Sequence, residues 1–333
     1  MSADIRIDES ECCTKRWSDI EIALPTGFAT DSGETLSEPR IGVRLYGDPA
    51  RPVIAVAGGI SAGRNVADID DQKGWWRDFV APGRAVDLNE YCVLGFDFLP
   101  NAHENARTIS TADQARALRH ALDILKINKL HAFVGSSYGG MVALSFAAQF
   151  SERVDQLVII SAADRPHAFG TAIRGVQRRI VEFANRHGDA SEGVALARQL
   201  AMISYRTPAE FGARFDAGDT TVLADTTAGD PYHVCDYLIA RGGAFDMDPQ
   251  RYVTMSDSID RHCVDLGKIK TRTLFVAAQG DQISPPAELR RCAAAVTRSR
   301  YVEIVSQYGH DAFLKEAASI GPFIQTFLQE TSK

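Results

Sequence analysis

The chain has 333 residues, 45% of them apolar, and 36 Lys and Arg against 43 Asp and Glu, a net charge of -7. This fits one large α/β domain with an insertion or two modest domains, and without any basic run it excludes an electrostatic footprint for nucleic acid. No segment has the roughly eighteen unbroken apolar residues of a membrane span, and the polar start lacks the apolar core of a secretory signal, so a cytoplasmic protein is expected.

Six cysteines, Cys12, Cys13, Cys92, Cys235, Cys263 and Cys292, lack C-x-x-C spacing. They predict free thiols, with Cys92 buried in a strand, and neither a metal site nor a disulfide framework. Residues 1–17 read as a polar tail. Ile20 to Leu24 and Ile41 to Tyr46 alternate as antiparallel edge strands do, across a turn-rich loop from Pro25 to Pro39. The apolar run Val53 to Ala57 predicts a buried strand, and the Gly58-Gly59 turn after it brings backbone close to something. Gly74 to Asp87 reads as a surface excursion with a short helix, its paired tryptophans serving packing. Cys92 to Asp97 is the next buried strand, and Thr111 to Leu125 an amphipathic helix.

The run His131-Ala-Phe-Val-Gly-Ser-Ser-Tyr-Gly-Gly-Met-Val-Ala-Leu passes from strand to helical spacing across a tight turn. Gly135-Ser136-Ser137-Tyr138-Gly139 matches G-x-S-x-G, in which small residues flank a nucleophile on a sharp strand-to-helix turn. Ser137 is the candidate nucleophile. Its oxyanion donors are expected from the N–H of Tyr138 and from the Gly59-Ile60 loop. Gln156 to Ser161 is a further central strand, and the strand–helix alternation implies a mostly parallel, doubly wound sheet with ligands at its carboxyl ends. Ala168 to about Ile259 breaks the rhythm with helices, including Ile173–His187 and Ser191–Tyr205, and reads as an inserted lid. The expected division is a core of residues 18–165 and 260–333 with a lid of 166–259. Strands Thr271–Ala277 and Arg300–Val305, a helix Pro286–Val296 and a last helix Ala312–Leu328 complete the core.

A serine hydroxyl needs a base that is itself oriented by a carboxylate, and this fold places them in the order Ser, acid, His. Asp281 and His310 lie beyond the ends of the last two strands and fill those roles. The residues therefore argue for acyl transfer through an acyl-serine, with water or another molecule as acceptor.

Gly135-Ser-Ser-Tyr-Gly-Gly-Met141, the stretch Gly193 to Arg206 with its Ala-Arg and Ser-Tyr-Arg, Asp236-Tyr-Leu238 and Tyr308-Gly-His-Asp-Ala-Phe-Leu314 together resemble the homoserine O-acyltransferases of the α/β-hydrolase superfamily. The resemblance runs from about Ile41 to Leu328. It implies transfer from acyl-CoA, a co-substrate and not a resident cofactor, to the hydroxyl of L-homoserine in methionine biosynthesis, by a protein that is commonly a homodimer. Ser137, Asp281 and His310 match the family's triad. Arg198 matches its arginine for the amino acid's carboxylate, Tyr205 that arginine's neighbour, and Asp311 the partner of the amino group. Ala57 to Arg64 and Ala162-Ala-Asp-Arg165 resemble a succinyl-using sublineage, although Ile283 stands where many succinyl users carry arginine. Arg64 is the cation expected for a succinyl carboxylate. Acetyl-CoA as donor, serine as acceptor and plain ester hydrolysis are the alternatives.

Overall fold

The structure is a computed structural model that describes residues 17–100, 108–215 and 230–330. Its centre is an eight-stranded sheet of β1 (Trp17–Ala23), β2 (Arg40–Tyr46), β3 (Val53–Ala57), β4 (Cys92–Phe96), β5 (Leu130–Ser136), β6 (Val154–Ile160), β7 (Arg272–Ala278) and β8 (Ser299–Ile304). The spatial order is β1-β2-β4-β3-β5-β6-β7-β8. β2 pairs antiparallel with both β1 and β4, and every later pairing is parallel. All residues of β3 and β4 are buried, as expected of parallel strands covered on both faces.

Period-two geometry divides these strands between two cores. Val53, Ala55, Ala57, Leu94 and Phe133 face α1 (Thr111–Ile124) and α2 (Tyr138–Gln149). Ile54, Val56, Val93 and Val134 face a second layer holding Trp76, Phe79, Ile320, Ile324 and Phe327. Helix α1 starts at a reciprocal cap, in which Ser110 Oγ accepts from Asp113 N–H and the Asp113 carboxylate accepts from Ser110 N–H.

Three expectations change. β2 is not an edge, because β4 pairs with its other side. The 74–87 segment is no surface excursion and carries no helix: Trp76 and Phe79 are buried, and a two-residue parallel pairing joins Val80–Ala81 to Val86–Asp87. The final helix is divided into one turn, Ala312–Lys315, and a later helix, Ala317–Gln329. The Phe313 carbonyl that would continue the ladder instead accepts from Trp76 Nε1 at 2.8 Å. The proposed tail keeps no residue 17, which opens β1, and residues 1–16 with Cys12 and Cys13 lie outside the described residues.

Between β6 and β7 the chain forms α3 (Ala168–Arg186), α4 (Ala190–Tyr205), α5 (Pro208–Phe215), α6 (His233–Gly243) and α7 (Pro249–Asp260). Helices α3 and α4 pack as a hairpin and, with α7, enclose a small core of Val181, Val194, Ala197 and Tyr252. Arg174 and Arg178 of α3 both pair with Asp260 at the end of α7, at 2.7 and 2.6 Å, tying the start of the insertion to its return. No helix among the described residues is long and apolar enough to cross a membrane.

Candidate active site

At the end of β5 the backbone enters the left-handed region: Ser137 has φ 51 and ψ -123. A non-glycine residue adopts such angles only where its surroundings fix them. Here Ser137 N–H donates to the Ile160 carbonyl at 2.9 Å, and Gly139 N–H to the Gly58 carbonyl at 2.7 Å. The flanking glycines follow from contact: a methyl on Gly139 would meet the Ala57 carbonyl, and one on Gly135 the backbone of Gly139 and Gly140. The same bond to Gly58 sets the Gly59-Ile60 loop beside the elbow. Tyr138 opens α2, so its N–H belongs to the first-turn donors that have no acceptor within a helix. The Tyr138 ring points away into the core, its hydroxyl 2.7 Å from Ser258 Oγ, and burial pushes that phenol up to about 12.

His310 Nε2 lies 2.8 Å from Ser137 Oγ, and His310 Nδ1 lies 2.8 Å from Asp281 Oδ2. A carboxylate only accepts, so Nδ1 carries the proton and Nε2 is left to accept from the serine. Asp281 is fixed from behind: its Oδ1 accepts from the N–H groups of Ile283 at 2.9 Å and Ser284 at 2.8 Å. Both His310 and Asp281 are buried. Three groups separated by 144 and 29 positions thus form one hydrogen-bonded line, the arrangement that lets a hydroxyl lose its proton as it attacks a carbonyl.

The insertion reaches the same place. Tyr205, the last residue of α4, has its ring centroid 5.5 Å from that of His310. Arg198 lies 5.8 Å from the Tyr205 ring and 4.8 Å from the Phe245 ring, a guanidinium held by aromatic faces. Asp311 is buried beside His310 and accepts from Arg206 Nε at 3.2 Å. Arg64 is different. Its guanidinium is bonded to Glu21, 3.3 Å from Asp97 and 4.0 Å from Asp19, so the residue expected to meet a succinyl carboxylate is itself engaged by three carboxylates.

Residues 52–317 match the alpha/beta hydrolase fold family. A homoserine O-succinyltransferase of Xanthomonas campestris pv. campestris is 39% identical over 307 residues, which cover 89% of this chain and 80% of the relative. The chain belongs to the homoserine O-acyltransferases. A homoserine O-acetyltransferase of Thermus thermophilus is 30% identical over 353 residues, covering 91% and 89% of the two chains. Among solved structures, homoserine O-acetyltransferase from Bacillus anthracis superposes with a TM-score of 0.84 at 16% identity, over 96% of this chain and 100% of that one. Esterase E22 gives 0.82 at 19%, over 94% and 100%. At such identities these two speak for the fold alone.

Sequence reasoning missed two features of the acyltransferase. Arg206 closes the Ser-Tyr-Arg run, and while Glu210 is only four residues on, its other carboxylate, Asp311, lies 105 positions away. His262 lies fully buried behind the elbow helix. Its Nε2 donates to the Ala163 carbonyl at 3.1 Å, and its Nδ1 lies 2.7 Å from Thr111 Oγ1, which is in turn 2.8 Å from Ser145 of α2. Burial pulls its pKa down to about 4, holding the ring neutral. A lone histidine at a helix end carries no sequence signal for that.

Proposed function

We propose that this acyltransferase moves an acyl group from acyl-CoA to the side-chain hydroxyl of L-homoserine through acyl-Ser137, the activating step for methionine biosynthesis. The observation that carries the reading is the 2.8 Å relay from Ser137 to His310 to Asp281, with Arg198, Tyr205 and Asp311 gathered at its mouth. An amino-acid acceptor needs a cation for its carboxylate and an anion for its ammonium, and Arg198 and Asp311 supply that pair.

The steps follow from the proton inventory. His310 Nε2 takes the Ser137 proton as Oγ attacks the thioester carbon, and the oxyanion is held by N–H groups of Tyr138 and the Gly59-Ile60 loop. The C–S bond then breaks, and the CoA sulfur leaves with the proton from His310. Homoserine's hydroxyl next gives its proton to His310 and attacks the acyl carbon, and Ser137 leaves and recovers a proton. The cycle needs no resident cofactor and predicts ping-pong kinetics. The helical insertion is the lid that keeps water from the acyl-enzyme.

Succinyl-CoA is the donor we favour, because the succinyltransferase from Xanthomonas shares 39% identity against 30% for the acetyltransferase from Thermus. We place the enzyme in the cytoplasm, where acyl-CoA is made, and read it as a homodimer. Support for the dimer is an exposed apolar stripe at seven-residue spacing, Phe169, Val176 and Phe183 on α3 and Leu196 and Ile203 on α4.

The test is mass spectrometry of the enzyme after brief exposure to succinyl-CoA or acetyl-CoA, followed by a chase with homoserine or serine. The expected result is an acyl adduct on Ser137 that homoserine removes as its O-acyl ester. An adduct that decays equally fast in buffer alone would instead mark an ester hydrolase.

A further inference from the structure

Arg206 is almost fully buried, and two carboxylates, Asp311 and Glu210, are buried with it. Its Nε donates to Asp311 Oδ2 at 3.2 Å and its Nη1 to Glu210 Oε1 at 3.4 Å. Burial is the largest single influence and works against the charge of Arg206, but the hydrogen bond to Asp311 and the charges of Asp311, Tyr237 and Glu210 together outweigh it and raise the pKa above its ordinary value. One buried cation therefore serves two buried anions. The Tyr237 ring lies 5.6 Å from the Arg206 guanidinium, the exposed Arg214 is 3.8 Å from Glu210 Oε1, and Glu210 Oε2 is buried with no hydrogen-bond partner.

The backbone around Arg206 is locked onto the catalytic loops. Thr207 Oγ1 donates to the Gln307 carbonyl at 2.5 Å. A Cβ on Gly309, which has φ 56, would lie 2.8 Å from the Tyr205 carbonyl, and one on Gly280 would lie 2.8 Å from Thr207 Cγ2. The exit of α4 thus rests on the turn before His310 and on the turn before Asp281. Arg206 sits at that joint with its fork turned to the residue after the base.

We infer that Arg206 is a positioning residue for the acceptor: it fixes the Asp311 carboxylate by one oxygen so that the other receives the ammonium of the incoming amino acid beside His310. The inference rests on the acyltransferase reading. It assigns Arg206 to the second half-reaction only. Without the guanidinium, the Asp311 carboxylate is free to swing from its place, and the ammonium would lose its anchor while Ser137, His310 and Asp281 stay in line.

The experiment separates the two halves. Release of CoA on mixing with succinyl-CoA reports acylation of Ser137, and a chase with homoserine or with 4-hydroxybutanoate, which lacks the amino group, reports transfer. Arg206→Gln is expected to lower kcat/KM for homoserine about tenfold to a hundredfold, while the acylation burst and transfer to 4-hydroxybutanoate change less than about threefold. Arg206→Lys should recover part of the loss, since one ammonium cannot span both carboxylates as the fork does. If Arg206→Gln does not fold, Glu210→Gln decides, with a smaller loss of the same pattern. Equal losses in acylation and transfer, or equal losses with both acceptors, would overturn the inference. A wild-type enzyme that fails to acylate, or never passes the group to homoserine, would overturn the acyltransferase reading instead.

Discussion

The elbow helix and the helical insertion meet at the same reaction site but are held by opposite means. Residues 138 to 147 of α2 are all buried, and the helix contains no charged side chain, so Ser137 is placed by close packing and by backbone bonds to Ile160 and Gly58. The insertion has a core of only a few side chains and is tied down by buried and half-buried ion pairs, Arg174 and Arg178 to Asp260 and Arg206 to Asp311. Packing fixes one geometry, and moving it costs cavities or overlaps. Ion pairs tolerate small shifts but answer to charge. The acyl-forming half of the site is therefore expected to be rigid, and the acceptor half tunable.

The sharpest way to break that contrast is at Gly139. Gly139→Ala puts a methyl against the Ala57 carbonyl, and we expect about 1–3 kcal/mol of lost stability with at least a tenfold drop in the rate of CoA release, measured by denaturant unfolding and a thiol assay. A mutant with wild-type burst kinetics would show that the elbow is not fixed by contact.

His262 tests the packed half through pH. Its folded pKa of about 4 lies below the ordinary 6.5, so between those values the unfolded chain binds a proton that the folded one refuses. Stability should then fall as pH drops from about 6.5 to 4, by on the order of 3 kcal/mol, and level off below. His262→Gln should flatten that acid limb at some cost near neutrality, as read by denaturant unfolding across the pH range.

On the insertion, Phe183 is 58% exposed. Phe183→Glu should shift a dimer to monomer in analytical ultracentrifugation while changing the unfolding free energy of the isolated subunit by less than about 0.5 kcal/mol. An unchanged sedimentation coefficient would leave the α3–α4 stripe without a partner. The smallest effect is expected at Arg64, whose guanidinium already answers Glu21, Asp97 and Asp19. Arg64→Ala should leave the ratio of succinyl-CoA to acetyl-CoA use within about twofold, because a cation engaged by three carboxylates has little left for a fourth.

Much of this was legible in the chain. The Gly135-to-Gly139 spacing, the strand runs Val53–Ala57 and Cys92–Phe96 and the long helical interval after β6 are local patterns, and local patterns survive translation into structure. The assignment of Asp281 and His310 needed the order Ser, acid, His that goes with this elbow, together with the rule that ligands gather at the carboxyl ends of parallel strands. Errors fell where a residue's fate depends on remote partners. The 74–87 segment reads as surface in the sequence, and its burial rests on Trp76 meeting a carbonyl 237 positions away. Arg64 reads in the sequence as a cation beside the oxyanion loop, and what the sequence does not show is that Glu21 and Asp19 of β1 and Asp97 after β4 come within 4.0 Å of it.

The sequence by itself determined the fold class and singled out Ser137, Asp281 and His310, the three side chains that meet in one hydrogen-bonded line, since these follow from periodicity, glycine spacing and element order. Only the tertiary structure decided which arginines are spoken for and which are poised. A guanidinium's role is set by the carboxylates within about 4 Å of it, and those arrive from segments that periodicity cannot bring together.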